Sequence, residues 1–272
     1  MSQAQIKFHP KDKTNEVLPK LYLGVVDFDS MIYRCASVYE ADVDGIESAK
    51  ATLRNSVQTQ IVNKTCAAKY LFIVTGPENF RRDIAITKPY KGQRVSEKPI
   101  HYSALLEYAI EKYNCLISEG VEADDYAVSC HQKYQGSSVL IGIDKDNLQS
   151  SGWHFNFVTG VSKFITPLEA QWCLAYQMLA GDPGDNIQGL YRIGDKKAIA
   201  FLDEGYEQGL PPMAVVYNAY KELGMTPEFY TEQYRLLYMV RDEVILFERD
   251  FIVQKAETTF EEVEGDFIGI EL

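Results

Sequence analysis

Residues 22–29 read YLGVVDFD. An apolar run that does not alternate with polar residues, and that ends on acids, marks a strand buried on both faces of a parallel sheet. Asp27 and Asp29 then stand at its carboxyl end. Three further stretches repeat the theme: KYLFIVTG at 69–76, SSVLIGIDKD at 137–146 and HFNFV at 154–158. Helical patterns lie between and after them, in residues 31–70, 101–114, 122–135 and 166–181. The last opens on Thr166 with Glu169 three residues on, which predicts a capping box. Strands that alternate with helices predict an α/β fold, a mostly parallel sheet with helices on both faces. In such sheets reactive groups gather at the carboxyl ends of the strands. Residues 81–100 are polar and basic and carry Pro89 and Pro99, so they read as a loop or arch. After Gly181 a loop leads into a short helical hairpin, and the rest is mostly helical with a late strand-like FIVQKA at 251–256.

The acids fall at chemically suggestive places. Glu122, Asp124 and Asp125 open a helix, Asp144 and Asp146 end the third strand, and Asp182 and Asp185 flank Pro183-Gly184. Positions i and i+2 of an extended segment face the same side, so Asp144 and Asp146 can share a site. Glu122 and Asp125 are neighbours on one helical face. A helix N-terminus favours negative charge by only ~0.3–1 kcal/mol. Acids that converge must therefore take up protons or bind cations. All-oxygen donors of this kind suit Mg²⁺ or Mn²⁺. Two such ions about 3.5–4 Å apart favour phosphodiester hydrolysis with no serine or cysteine nucleophile.

The 272-residue chain is long enough for a sizeable core plus an accessory unit. The residues at 1–19 read as a polar tail with no apolar signal core, and no apolar run is long enough to span a bilayer. A cytoplasmic monomer without membrane contact is expected. Cys35, Cys66, Cys115, Cys130 and Cys173 have no zinc-like spacing and lie in apolar-rich segments, which predicts core thiols. The net charge of −12 taken alone argues against a nucleic-acid partner. Basic residues nevertheless cluster at Arg81, Arg82, Lys88, Lys91, Arg94 and Lys98, and again at Arg192, Lys196 and Lys197.

VEADDYAVS, GIDKDNLQ, LAGDPGDNIQGLYRIGDKKA, NFRRDIAITKPYKGQR and VVDFDSMIYR, taken together, resemble the motifs of the 5′→3′ exonuclease and flap endonuclease family. That family includes phage exonucleases and the 5′ nuclease domain of bacterial DNA polymerase I. The resemblance covers roughly residues 21–202 in family order. It implies a PIN-like core over 20–180, with a basic arch at 81–115, then a helix–three-turn–helix DNA-binding element and helical region over 181–272. It implies two Mg²⁺ (or Mn²⁺) ions. Asp27, Glu122, Asp124 and Asp125 would serve a first metal region, and Asp144, Asp146, Asp182 and Asp185 a second. Lys91 and Arg94 match the family's catalytic basic pair, which would neutralise the scissile phosphate. Arg81 would add a phosphate contact and Tyr90 would stack on a terminal base. Gly189, Arg192, Ile193 and Gly194 would form the turn that approaches DNA, with Lys196 and Lys197 on its phosphates and K⁺ held by its carbonyls. The implied partners are DNA with free 5′ ends, nicks or flaps, and RNA–DNA hybrids. A free-standing, phage-encoded enzyme of a host cytoplasm is the expected setting.

Two departures stand out. The family has an aspartate after the second strand, where this chain has Thr75. Gln188 and Tyr191-Arg192 replace the usual proline and Pro-Gly. Asp29 has no family counterpart and reads as a turn carboxylate. Three alternatives remain at this level. Asp27-Phe28-Asp29, Thr75 and Gly181-Asp182-Pro183-Gly184-Asp185 loosely fit a haloacid-dehalogenase-type phosphatase. Thr75 also fits a non-catalytic DNA-binding relative, and a PIN-type ribonuclease is the third.

Overall fold

The structure is a computed structural model, and it describes residues 14–93 and 97–240. The expected strand-like stretch at 251–256, the acidic C-terminal end and Arg94 lie outside the described residues.

The first strand, β1 (Leu23–Asp27), leads directly into α1 (Asp29–Ser37). A long helical run follows: α2 (Ile46–Ser56), a π-helical turn (Val57–Val62) and α3 (Asn63–Thr65). It feeds β2 (Lys69–Thr75). Next come the short α4 (Arg81–Ile84), α5 (Tyr102–Tyr113) and β3 (Leu116–Ser118). The centre of the chain holds α6 (Ala123–Lys133), β4 (Ser138–Ile141), a 3₁₀ turn (Asp146–Gln149), β5 (Gly152–Asn156) and β6 (Val161–Ile165). Four helices close the described chain: α7 (Pro167–Ala180), α8 (Asp195–Glu207), α9 (Pro212–Glu222) and α10 (Pro227–Leu237).

The strands form one six-stranded sheet of order β3-β2-β1-β4-β5-β6. Every pairing is parallel except β5 with β6. The mostly parallel α/β expectation holds. The strand at 161–165 is not legible in the sequence, because its polar alternation is that of an edge strand next to a tight turn. The three-residue β3 carries too little pattern to see. Residues 15–16 do not form a free tail. Glu16 N–H donates to the Ser162 carbonyl and Ser162 N–H to the Asn15 side chain, which covers part of the β6 edge.

Helices cover both faces. Phe28, Met31, Ile32, Leu53, Ile61 and Leu105 pack on one side, and Val25, Ile73, Ala127, Val128 and Leu140 on the other. A third apolar cluster, with Trp172, Met178, Val216, Tyr220 and Tyr230, unites the last four helices. The predicted capping box is present: Glu169 N–H donates to Thr166 Oγ1 at 3.2 Å and Thr166 N–H to Glu169 Oε2 at 2.8 Å. Four cysteines are buried as expected, but Cys66 is exposed. No helix among the described residues is long and apolar enough to cross a membrane.

β1 lies at the centre of the sheet, where the chain turns to β2 on one side and β4 on the other. The carboxyl ends of the three strands deliver Asp27, Thr75 and the Asp144–Asp146 turn to one edge, as the switch-point rule requires. At Gly142, beside that edge, an added β-carbon would lie 2.6 Å from Asn147 Nδ2. A larger residue there would push the Asn147 amide aside.

Candidate metal centre

Asp27 ends β1 and is 7% exposed. Burial pushes its carboxyl well above the usual range, and the charges of Asp29, Asp144 and Glu122 push it further. Asp124, in the first turn of α6, is raised by burial, then by Asp125, Glu122 and Asp27. Asp146 is raised to about 7 by burial and by Asp144, with Lys145 opposing. Asp182 and Asp185 also act on Asp146. These couplings join acids from four distant stretches of sequence into one charged network.

Cations and a phenol hold the network together. Lys91 Nζ bonds to Glu122 Oε1 and lies 3.7 Å from Asp185 Oδ2. The Tyr90 hydroxyl lies 2.6 Å from Glu122 Oε2 and 2.8 Å from Asp185 Oδ2. Burial raises the Glu122 carboxyl, but Lys91 and Arg81 outweigh it and hold the group below its ordinary value. On the other flank Lys145 Nζ contacts Asp182 Oδ2 at 2.7 Å and Asp146 Oδ1 at 3.8 Å. Gln177 from α7 donates to Asp146. Asp144 is exposed and accepts the Asp146 N–H at 3.0 Å.

Several expected roles do not suit the positions found. Arg81 is 2% exposed and Asp125 is fully buried. They form a bidentate pair, and Arg81 also donates to the Leu236 and Tyr238 carbonyls. Asp125 additionally accepts the Val240 N–H at 2.9 Å. A guanidinium with every partner supplied from within is a clamp between α6 and the end of α10, not a phosphate contact, and Asp125 is its counter-ion rather than a free ligand. Tyr90 is 8% exposed, so its ring offers no open face to a terminal base. The segment expected as an arch is docked in its described part. Lys91 N–H donates to the Asp185 carbonyl, Asn186 to the Pro89 carbonyl and Gln93 to the Pro183 carbonyl. The Ile86 and Thr87 N–H groups donate to Glu232 on α10.

The glycine turn divides. Gly189 has φ +62°, and an added β-carbon would lie 2.2 Å from the Gly181 nitrogen, so this glycine permits two backbones to cross inside the protein. Its N–H donates to Gln233, which removes it from the expected DNA contact. Ile193 is half-buried against the helical cluster. Gly194, Lys196 and Lys197 are exposed at the start of α8, and Arg192 is exposed with its guanidinium 5.0 Å from the Tyr191 ring centroid.

Sequence reasoning missed Asp29, Asn147, Lys145 and Gln177. Asp29 accepts the Thr75 N–H at 3.1 and 3.2 Å and is not a solvated turn residue. Its two-residue offset from Asp27 was the available signal. Asn147 is 3% exposed and neither atom of its amide has a partner in the protein. Gln177 and Lys145 carry no signal of their own, since only packing brings α7 against the 3₁₀ turn.

Among the described residues no group of three histidine, cysteine, aspartate or glutamate side chains is already set to hold a metal ion. The donor chemistry nevertheless fits one. The donors are oxygens, several carboxyls are raised by burial and then by mutual repulsion that a cation would relieve, and an unpartnered buried amide borders the same space.

Comparison with known proteins bears on this arrangement. A curated 5′-3′ exonuclease of Buchnera aphidicola subsp. Schizaphis graminum (strain Sg) is 29% identical over 203 residues, 65% of this chain and 68% of that protein. A bacteriophage T5 5′-exonuclease solved with divalent zinc superposes with a TM-score of 0.58 at 20% identity, over 88% of this chain and 98% of that one. The chain resembles the 5′→3′ exonuclease and flap endonuclease family in sequence and in fold. A T5 flap endonuclease solved with DNA and metal ions gives the same TM-score of 0.58 at 18% identity, over 89% and 99% of the two chains. No family model matches the chain. The exonuclease-like fold thus extends over nearly all of the T5 protein, although few residues are identical.

Proposed function

We propose that this chain is a divalent-metal-dependent 5′→3′ exonuclease with structure-specific endonuclease activity, acting on DNA with free 5′ ends, nicks or flaps. The observation that carries the reading is the charged network itself. Glu122 at the start of α6 and Asp185 beyond α7 share Tyr90 and Lys91, while Asp27, Asp124 and Asp146 are held with raised carboxyls beside them. The similarity to nucleases supports it.

Asp27, Glu122 and Asp124 would hold one Mg²⁺ or Mn²⁺, and Asp144, Asp146, Asp182 and Asp185 a second. Bound there, the ions would supply an activated water and offset charge on the phosphate under attack. Lys91 has the reach to exchange its carboxylate partners for the scissile phosphate. The docked segment at 86–93 presents it to the acids from above the 182–187 loop. Asp125 and Arg81 keep α6 in place. Gly194, Arg192, Lys196 and Lys197 would meet the phosphates of the duplex, since N–H groups at a helix start bind anions. Action on RNA–DNA hybrids, K⁺ at the glycine turn and a role for Arg94 belong to the same reading. A phosphatase built on Asp27 and Asp29 would leave the acids of α6, the Asp144–Asp146 pair and Lys91 without a task.

End-labelled flapped, nicked, blunt and RNA-primed duplexes test the reading, each with Mg²⁺, Mn²⁺ or chelator, beside a small phosphomonoester. Cleavage of DNA from the 5′ side that stops with chelator and with Asp124→Ala is the expected result. Tight flap binding in Mg²⁺ with every strand left whole would mean a non-catalytic relative. Turnover of the phosphomonoester alone would mean a phosphatase.

A further inference from the structure

We propose that Asp29 stands in for the acid that Thr75 replaces, so that the first metal region takes a carboxylate from the start of α1 instead of the end of β2. This inference rests on the metal-dependent reading above and names a residue that has no counterpart in the family's motifs.

The geometry links the two positions directly. Thr75 N–H faces both carboxylate oxygens of Asp29, at 3.1 and 3.2 Å. Thr75 Oγ1 accepts the Ala123 N–H at 2.8 Å. Its hydroxyl proton is then free to point at Asp29, and the threonine favours the charged form of that carboxyl. Thr75 therefore links the first N–H of α6, received by its hydroxyl, to the Asp29 carboxylate, held by its backbone N–H. An ionised aspartate at 75 would set a second negative charge against Asp29 and repel it. Threonine at 75 and aspartate at 29 suit each other, and each makes the other intelligible.

Asp29 also faces the right neighbours. Its charge acts on Asp27, and both aspartates feel Glu122. The Asp29 backbone N–H favours the charged form of Asp27, against burial and the neighbouring acids. An independent feature points to a ligand in the same space. The Asn147 amide is buried and unpartnered on both atoms. A β-carbon on Gly142 would lie 2.6 Å from Asn147 Nδ2 and 3.7 Å from Asp27 Oδ2, so amide and carboxylate border one small volume. Buried amides are almost always paired, and a ligand held by these acids, or water on that ligand, supplies the missing partner.

The test is Mn²⁺ binding to the full chain without DNA, read by calorimetry and by the loss of the free-ion paramagnetic resonance signal. Four proteins are compared: wild type, D29N, T75D and D29N/T75D. D29N keeps an acceptor for the Thr75 N–H and should weaken Mn²⁺ binding by about 10-fold or more, the range seen when groups orienting a metal site are removed. D29N/T75D should recover most of that deficit, while T75D alone crowds two acids together and should melt lower than wild type in chelator. D29N should melt no lower than wild type in chelator, because it removes a charge that Asp27 repels. Wild-type affinity in D29N overturns the inference and leaves the metal-dependent reading standing. A lower melting point in D29N, or no recovery in D29N/T75D, also overturns it, marking Asp29 as a structural cap. A wild-type chain that binds no Mn²⁺ removes both.

Discussion

At the residue scale, the same residue types serve opposite purposes according to their partners. Arg81 and Asp125 are spent on each other and on backbone, with no group left over for a ligand. Breaking a buried pair from one side leaves an uncompensated charge, so Arg81→Ala should destabilise the protein by about 3–5 kcal/mol in denaturant unfolding. Asp146 is the converse, a carboxyl raised to about 7 from an ordinary 3.8. Because the folded value lies above the unfolded one, the native state holds an extra proton between those values. The associated stability is present below the lower value and is lost as pH rises through the upper one. Without divalent cations, Asp146→Asn should therefore melt above wild type at pH ~7.5, and the gap should close toward pH ~4. Only the difference between the two proteins isolates this carboxyl. Burial lowers His131 to about 3 and His154 to about 4, which erodes every variant's stability as pH falls below the ordinary 6.5. An Asp146→Asn chain that melts below wild type at the higher pH would contradict the account.

At the element scale, helix starts do different work. Glu122 opens α6 facing the acids, and its N–H is received by Asp125 at 3.3 Å. The start of α8 instead carries exposed Gly194, Lys196 and Lys197. Such a terminus favours phosphate without reading sequence. Replacing both lysines with alanine should weaken duplex binding at low salt and reduce the slope of log K against log salt by roughly 0.9 for each phosphate no longer neutralised. An unchanged slope would take α8 out of the DNA path. Cleavage chemistry on a bound substrate should change far less than affinity, because this helix start carries none of the acids placed around Lys91 and Tyr90.

At the scale of the whole molecule, the site joins the two halves of the fold. Asp27, Thr75 and the Asp144–Asp146 turn come from the sheet, while Asp182 and Asp185 come from the loop between α7 and α8. Gln177 and Lys145 cross that junction. A ligand that binds only when both halves are assembled stabilises the assembly by mass action, about 2.7 kcal/mol at a hundredfold excess over its Kd. Mg²⁺ should accordingly raise the thermal midpoint of the wild type. Asp124→Ala should blunt that rise even where its own midpoint in chelator is unchanged, and an equal Mg²⁺ response in both proteins would count against Asp124 as a ligand.

Local sequence determined a good deal of this. The unbroken apolar runs at 22–26 and 139–143 specify buried parallel strands, since such strands have no solvent face to alternate with. The acids that follow them, and the capping pattern at Thr166, could be placed from spacing alone. What spacing could not say is which charges meet. Arg81 and Lys91 look equally available in a basic stretch, and Asp125 looks like Asp124. Only the docking of α10 against α4 buries Arg81 with Asp125, and only the crossing of Gly181 and Gly189 turns a glycine inward. Asp29 gained its partner from a strand 46 residues away. Secondary structure follows the short-range period of side chains, whereas the pairing of buried charges is settled by long-range packing that no local window contains.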